Sequence, residues 1–147
     1  STHRIAAELI ELNFDFNSIY HSLIHLKTQK TIALEAIAIN RLVKVSDKGF
    51  FLTYITKQDL DSIGADKDEL SSIVSYIKNI EGCSIAVFIY EEGCNKYKVS
   101  LRSTQPYDVA SVAKDFGGGG HKRAAGATID GSLEQVIDTV RQKLILL

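Results

Sequence analysis

"CSIAVFIYEEGCNKYKVSLRS", residues 83–103, decides what kind of fold this chain can make. Its first half is apolar almost without a break from Ile85 to Ile89, the pattern of a strand covered on both faces. "GCN" then reads as a turn. The second half alternates, with Tyr97, Val99 and Leu101 set against Lys98, Ser100 and Arg102, as in a strand with one buried face. Two adjacent strands of these types belong to a sheet with helices packed on it.

Working towards the N-terminus, "DKDELSSIVSYIKNI" (66–80) predicts a helix with Leu70, Ile73, Val74 and Ile77 on one face. "TKQDLDSIG" (56–64) predicts a short capped helix, and "VKVSDKGFFLTYIT" (43–56) a hairpin turning at "SDKG". Before these come three helical stretches. Residues from 28 to about 41 are expected to turn Ile32, Ala36 and Ile39 inward; a helix from Asn17 carries Tyr20, Leu23 and Ile24; residues 2–12 space Ile5, Leu9 and Leu12.

Towards the C-terminus, "YDVASVAKDF" (107–116) is a helix with Val109, Val112 and Phe116 on one side. A glycine loop, a strand "AAGATI" (124–129) and a helix from Ser132 to about Ile145 follow, Ser132 and Gln135 forming a capping box. From Val43 the expected order is ββααββαβα, an α/β fold of mixed sheet with flanking helices. A small helical segment, 1–42, precedes this domain, 43–147.

Composition agrees with a folded domain: 147 residues, 45% hydrophobic and 24% charged. No apolar run approaches the roughly 18 residues of a membrane span, so no membrane partner is expected. The N-terminus lacks a signal-peptide core, and the two cysteines, Cys83 and Cys94, read better as a reduced pair than as a hairpin disulfide. A cytoplasmic location is therefore the expectation. The chain has no methionine, which reads as a fragment of a longer protein.

Net charge is −1, but its distribution is uneven. Between Lys96 and Arg123 stand six cations (Lys96, Lys98, Arg102, Lys114, Lys122, Arg123) against two acids (Asp108, Asp115), a local +4. A basic segment in an otherwise acidic chain suits a phosphate-bearing partner. At its centre lies "FGGGGHKRAAGATI", residues 116–129. Glycine is entropically costly to order, so the run of Gly117 to Gly120 is either a linker or a place of close backbone approach. No second unit follows it, which disfavours a linker. Bare N–H groups beside His121, Lys122 and Arg123 suit an anion, although the spacing matches neither a P-loop nor a dinucleotide fingerprint. Upstream, "SLRS" (100–103) offers Arg102 between two hydroxyls, a guanidinium able to grip phosphate bidentately.

Other groups look catalytic only at first sight. His21 and His25 have helical metal-site spacing but no third ligand, and read as surface histidines. Asp59 with Asp61, and Asp66 with Asp68, sit at helix starts, where caps and dipoles account for them. Neither cysteine has a neighbouring base.

"KVSLRS" followed by "DVASVAKDFGGGGHKRAAGATI" resembles the C-terminal, DHH-associated substrate domain of DHH-family phosphoesterases, nearest to the NrnA-like branch of oligoribonucleases that are also pAp phosphatases. Residues 1–24 resemble the last helices of that family's first domain, and residues from about Val43 its second. The resemblance implies a partner domain carrying an Asp-His-His motif and two divalent metal ions, with manganese the usual metal. No such triplet occurs here, so no catalytic residue and no metal or other cofactor is assigned to this chain.

By the same resemblance, Arg102 and His121 are substrate contacts, helped by Ser103 and the backbone of Gly118, Gly119 and Gly120, with Arg123 at a variable position. The implied partners are short RNA, pAp, or a linear dinucleotide such as pApA, besides the missing DHH domain; a homodimer of the full-length protein stays open. The isolated chain is then expected to bind nucleotide phosphate without cleaving it. The alternative is a stand-alone single-stranded RNA-binding module.

Overall fold

The apolar run Ile85 to Ile89 lies in strand β3 (Ile85–Gly93), inside a six-stranded sheet of order β1-β2-β3-β4-β6-β5. The structure is a computed structural model and describes residues 1–12 and 15–147. The other strands are β1 (Val43–Ser46), β2 (Phe50–Ile55), β4 (Lys96–Ser103), β5 (Gly119–His121) and β6 (Ala124–Asp130). Only β2 and β3 pair in parallel; every other neighbour is antiparallel. The helices are α1 (Thr2–Glu11), α2 (Phe16–Tyr20), α3 (Gln29–Asn40), α4 (Lys57–Ile63), α5 (Ile73–Lys78), α6 (Val109–Asp115) and α7 (Leu133–Ile145). Asn13 and Phe14, inside the stretch assigned by resemblance to a preceding domain, lie outside the described residues.

The sheet separates two cores. On one face α6 and α7 bring Val109, Val112, Val136, Val140 and Leu144 against Leu52, Val87, Val99 and Leu101. On the other, α3, α4 and α5 bring Leu34, Ala38, Leu60, Ile73 and Ile77 against Ala86 and Phe88. β3 is therefore covered on both sides, which is why its sequence hardly alternates. Burying each large aliphatic or aromatic side chain here contributes about 1.5–3 kcal/mol. The mixed α/β architecture expected from the sequence is the one found.

Local chemistry fixes the element ends. Thr56 and Asp59 close a capping box on α4, and Gly64 ends it in the left-handed conformation. Ser132 and Gln135 form the box expected for α7. The hairpin at "SDKG" is present, and Cys94 and Asn95, both at positive φ, make the turn between β3 and β4. Both cysteines are free, Cys83 buried and Cys94 exposed.

Three expectations need correction. The helix read over 66–80 is broken into a 3-10 turn at Lys67–Leu70 and α5, and Ser72, between them, donates its hydroxyl to Glu35 at 2.9 Å. Ile32, Ala36 and Ile39 face outward on α3. Its buried side is Leu34, Glu35 and Ala38, held by Lys27 Nζ donating to both Glu35 oxygens (2.7 and 2.8 Å) and by Thr53 Oγ1 donating to the Ala38 carbonyl (2.5 Å). Packed this way, α3 lies with the sheet although the sequence boundary was drawn behind it, after residue 42. Finally, the glycine run is not only a loop: Gly119–His121 is an edge strand, so two strands stand where one was expected.

Candidate nucleotide-phosphate site

The site is set by the alternation of β4. Tyr97, Val99, Leu101 and Ser103 point into the α6–α7 core, which leaves Lys98, Ser100 and Arg102 on the opposite face. Strand register carries that face sideways. Ala86, Arg102, Ala124 and His121 are successive cross-strand neighbours in one row; Phe88, Ser100, Gly126 and Gly119 form the next; Tyr90, Lys98 and Thr128 form a third. Directly paired residues share a face, so all of these look the same way.

Helix α5 packs over Ala86 and Phe88 and reaches β4. Beyond it Lys98, Ser100, Arg102, Ala124 and Gly126 are half-buried, and Gly119 and His121 are exposed. The floor of this strip is Ser100, Ala124, Gly126 and Gly119; its cations are Lys98 and Arg102, with the His121 ring beside them. Arg102 and His121 stand in one row on either side of Ala124, about two strand spacings or roughly 10 Å apart. Arg102 Nη1 donates to its neighbour's carbonyl, Leu101 O, at 3.0 Å. Among the described residues no carboxylate lies within ion-pair distance of Lys98, Arg102, His121 or Lys122. A thin floor under uncommitted cations is a receptive surface for a flat, anionic ligand.

The glycines take different parts. Gly117, at φ +71°, ends α6. A Cβ on Gly118 would fall 2.2 Å from the Gly126 carbonyl and 2.7 Å from Ala127 Cα; one on Gly120 would fall 2.5 Å from the Ala124 carbonyl. What these two approach so closely is therefore the chain's own strand β6. Gly119 differs: a Cβ there would meet nothing, and its φ is ordinary. A side chain at 119 would enter open space and meet no part of the fold.

Ser103 and Arg123 are not brought to that surface. Ser103 is buried on the opposite face, and its Oγ donates to Tyr107 O at 2.8 Å and lies 3.2 Å from Lys122 O. Arg123 Nη1 donates to the carbonyls of Thr104 (3.2 Å) and Tyr107. With Val109 N donating to Lys122 O at 3.0 Å and Ser103 N to Arg123 O at 3.1 Å, these bonds fasten the 122–123 turn to the 104–109 loop. They hold His121 at the strip's edge, a positioning part that residue type alone did not signal.

Sequence reasoning also missed a groove. Between the 67–70 turn with α5 and strands β3–β4 lies a cavity of about 490 Å³, lined by Lys67, Asp68, Leu70, Ser71, Val74, Phe88, Tyr90, Ser100 and Arg102. It opens onto the strip through Ser100 and Arg102. Phe88 and Tyr90 stack inside it, ring centroids 5.8 Å apart. Burial, with Glu92 adding, pushes the Tyr90 hydroxyl above its ordinary value, so it stays a neutral donor. Of these, Arg102 and Ser100 were marked in the sequence for phosphate, Asp68 as a helix-start acid, and Leu70 and Val74 as core; the groove that joins them was not.

Elsewhere, His21 and His25 sit in a π-helical turn, His21–His25, with ring centroids 6.0 Å apart. Among the described residues no three His, Cys, Asp or Glu side chains converge as a metal site, so the residues present do not fit the metals the resemblance implies. Burial pushes the Cys83 thiol up, away from nucleophilic use. No helix among the described residues is long and apolar enough to cross a membrane.

The DHHA1 domain family matches residues 35–145. A bifunctional oligoribonuclease and PAP phosphatase NrnA of Bacillus subtilis is 30% identical over 128 residues, 87% of this chain and 40% of that protein. The protein of the same name from Thermus thermophilus is 37% identical over 91 residues, 57% of this chain and 27% of that one. The chain thus spans well under half the length of these relatives. An exopolyphosphatase-related protein from Bacteroides fragilis superposes with a TM-score of 0.87 at 23% identity, over 97% of this chain and 42% of that one, a likeness of fold.

Proposed function

The chain belongs to the DHHA1 domain family, and from that premise we propose that it is the substrate-binding part of a metal-dependent phosphoesterase acting on short oligoribonucleotides, pAp or linear dinucleotides. The observation that carries this reading is the row in which Arg102 and His121 flank Ala124 above a glycine floor, with no carboxylate among the described residues within ion-pair distance of either side chain. In this proposal Arg102 grips a phosphate bidentately, as only a guanidinium can. His121 donates to the same or the adjoining phosphate, Gly119 lets the ligand lie close to the backbone, and Lys98 raises the local potential. The two divalent ions belong to a further, DHH domain of the whole protein; when bound, they would supply the activated water. This chain's own work is to bind and orient, so alone it holds nucleotide phosphate without cleaving it.

The test is an NMR titration of the chain with pAp and with a twelve-nucleotide RNA. We expect pAp to shift the Gly117–Lys122 amides, and Arg102→Ala and His121→Ala each to weaken binding about tenfold, the scale of one charge-assisted hydrogen bond. Silence of those amides towards pAp, with the long RNA binding both variants like wild type, would overturn the reading in favour of an RNA-binding module.

A further inference from the structure

We propose that Lys98 is the contact for a second phosphate, so that the strip takes one phosphate–ribose–phosphate unit, and that Asp130 ends the run there. This inference rests on the nucleotide-phosphate reading above and adds to it how much of the ligand the strip holds.

The spacing comes from β4 itself. Arg102, Ser100 and Lys98 share one face at every second residue, so successive rows stand about 7 Å apart. The Lys98 side chain does not rise straight from its own row. A Cβ built on Gly126 would fall 4.0 Å from Lys98 Cε, and Gly126 is paired with Ser100. The stem therefore leans over the glycine floor towards the row of Ser100, which brings its ammonium to about one row, roughly 7 Å, from that of Arg102. The 3′ and 5′ phosphates of one nucleotide are joined through the C3′–C4′–C5′ side of the ribose. Extended, that chain spans about one such row, and a basic groove that follows nucleic-acid backbone meets its phosphates in turn.

The groups along this path are uncommitted. Among the described residues neither the Lys98 ammonium nor the Ser100 hydroxyl has a hydrogen bond or ion pair. Ser100 stands between the two cations, where a hydroxyl suits the ribose. The next row is different: Lys96 is opposite Asp130, with Nζ and Oδ1 4.0 Å apart. Its cation is already matched, and the exposed carboxylate repels a further phosphate. β4 thus offers two anion contacts and then stops. Two phosphates on one ribose are what pAp and the 5′-phosphorylated end of an oligoribonucleotide have in common, so one device serves both ligands.

The experiment is a set of NMR titrations of the chain with AMP, ADP and pAp, on wild type and on Lys98→Gln. ADP carries nearly the charge of pAp, but on adjoining phosphorus atoms that are too close together to reach both rows. We expect all three ligands to shift Gly119–His121 and Arg102, and pAp alone to shift Lys98 and Thr128 as well. Binding of pAp should be about tenfold tighter than that of AMP or ADP, the scale of one charge-assisted contact. Lys98→Gln should weaken pAp about tenfold and ADP no more than about twofold. If Lys98→Gln weakens pAp and ADP by the same factor, Lys98 acts through the general potential alone; the second contact is overturned and the phosphate reading stands. If none of the three ligands moves Gly119–His121 or Arg102, the phosphate reading itself falls. On wild type, pApApA should bind no tighter than pApA; a clear gain from its third phosphate overturns the limit given to Asp130.

Discussion

Gly118 and Gly119 are adjacent and chemically identical, yet the structure gives them opposite duties. A methyl group on Gly118 must displace the Gly126 carbonyl and Ala127, so Gly118→Ala is expected to lower stability in urea denaturation by about 1–3 kcal/mol. Gly119→Ala meets only open space and should stay within about 0.5 kcal/mol of wild type, yet weaken pAp binding in the same titration that tests Arg102. A stable, fully binding Gly119→Ala protein would remove the ligand as the reason for that glycine. The sequence could announce the run but not this division of labour, because a glycine's neighbour across a sheet is set by register. The same limit hid the offices of Ser103 and Arg123. Their residue types suit phosphate, but strand parity buries one and carbonyls of the 104–107 loop occupy the other.

At the scale of elements, legibility followed periodicity. β4 alternates strictly and its faces were read correctly; β3 scarcely alternates and was rightly placed at the centre. α3 is apolar at every position from Ile32 to Ile39 except Glu35, so its stripe was ambiguous and was read as Ile32, Ala36 and Ile39; the part-buried ion pair of Glu35 with Lys27 marks its inner face instead. β5 escaped notice because glycine carries no strand preference.

A second ion pair, Arg41 with Asp59 at 2.5 Å, ties the end of α3 to α4, and the guanidinium also lies 4.8 Å from the Tyr54 ring centroid. Burial by itself would raise the Asp59 carboxyl, but hydrogen bonds from Arg41 and Thr56 outweigh it and hold the group below its ordinary 3.8. A depressed carboxyl stabilises fully above its unfolded value and loses that contribution as pH falls through the folded one. Asp59→Asn should therefore melt lower than wild type at neutral pH, and the gap should close as pH falls well below 3.8. A gap of undiminished size in acid would show that the pair is not its source.

For the molecule as a whole, no described residue before Leu34 is buried, while Ile5, Leu12 and Leu23 stand 59%, 74% and 75% exposed. Apolar surface on that scale promotes association. A chain beginning at residue 27 should keep the melting temperature of the full 147 residues and sediment with less self-association. A large drop in melting temperature would mean that these helices support the sheet after all. The sheet itself is protected differently. Each of its ends is an invitation to any extended chain in need of hydrogen bonds. β1 meets that hazard with four residues and a break in register between Lys44 and Ser46, and β5 with three residues, two of them glycine. The glycines that thin the sheet's floor thus also leave too short and featureless a margin for a stray strand to read, so an exposed face is closed to amyloid-like growth.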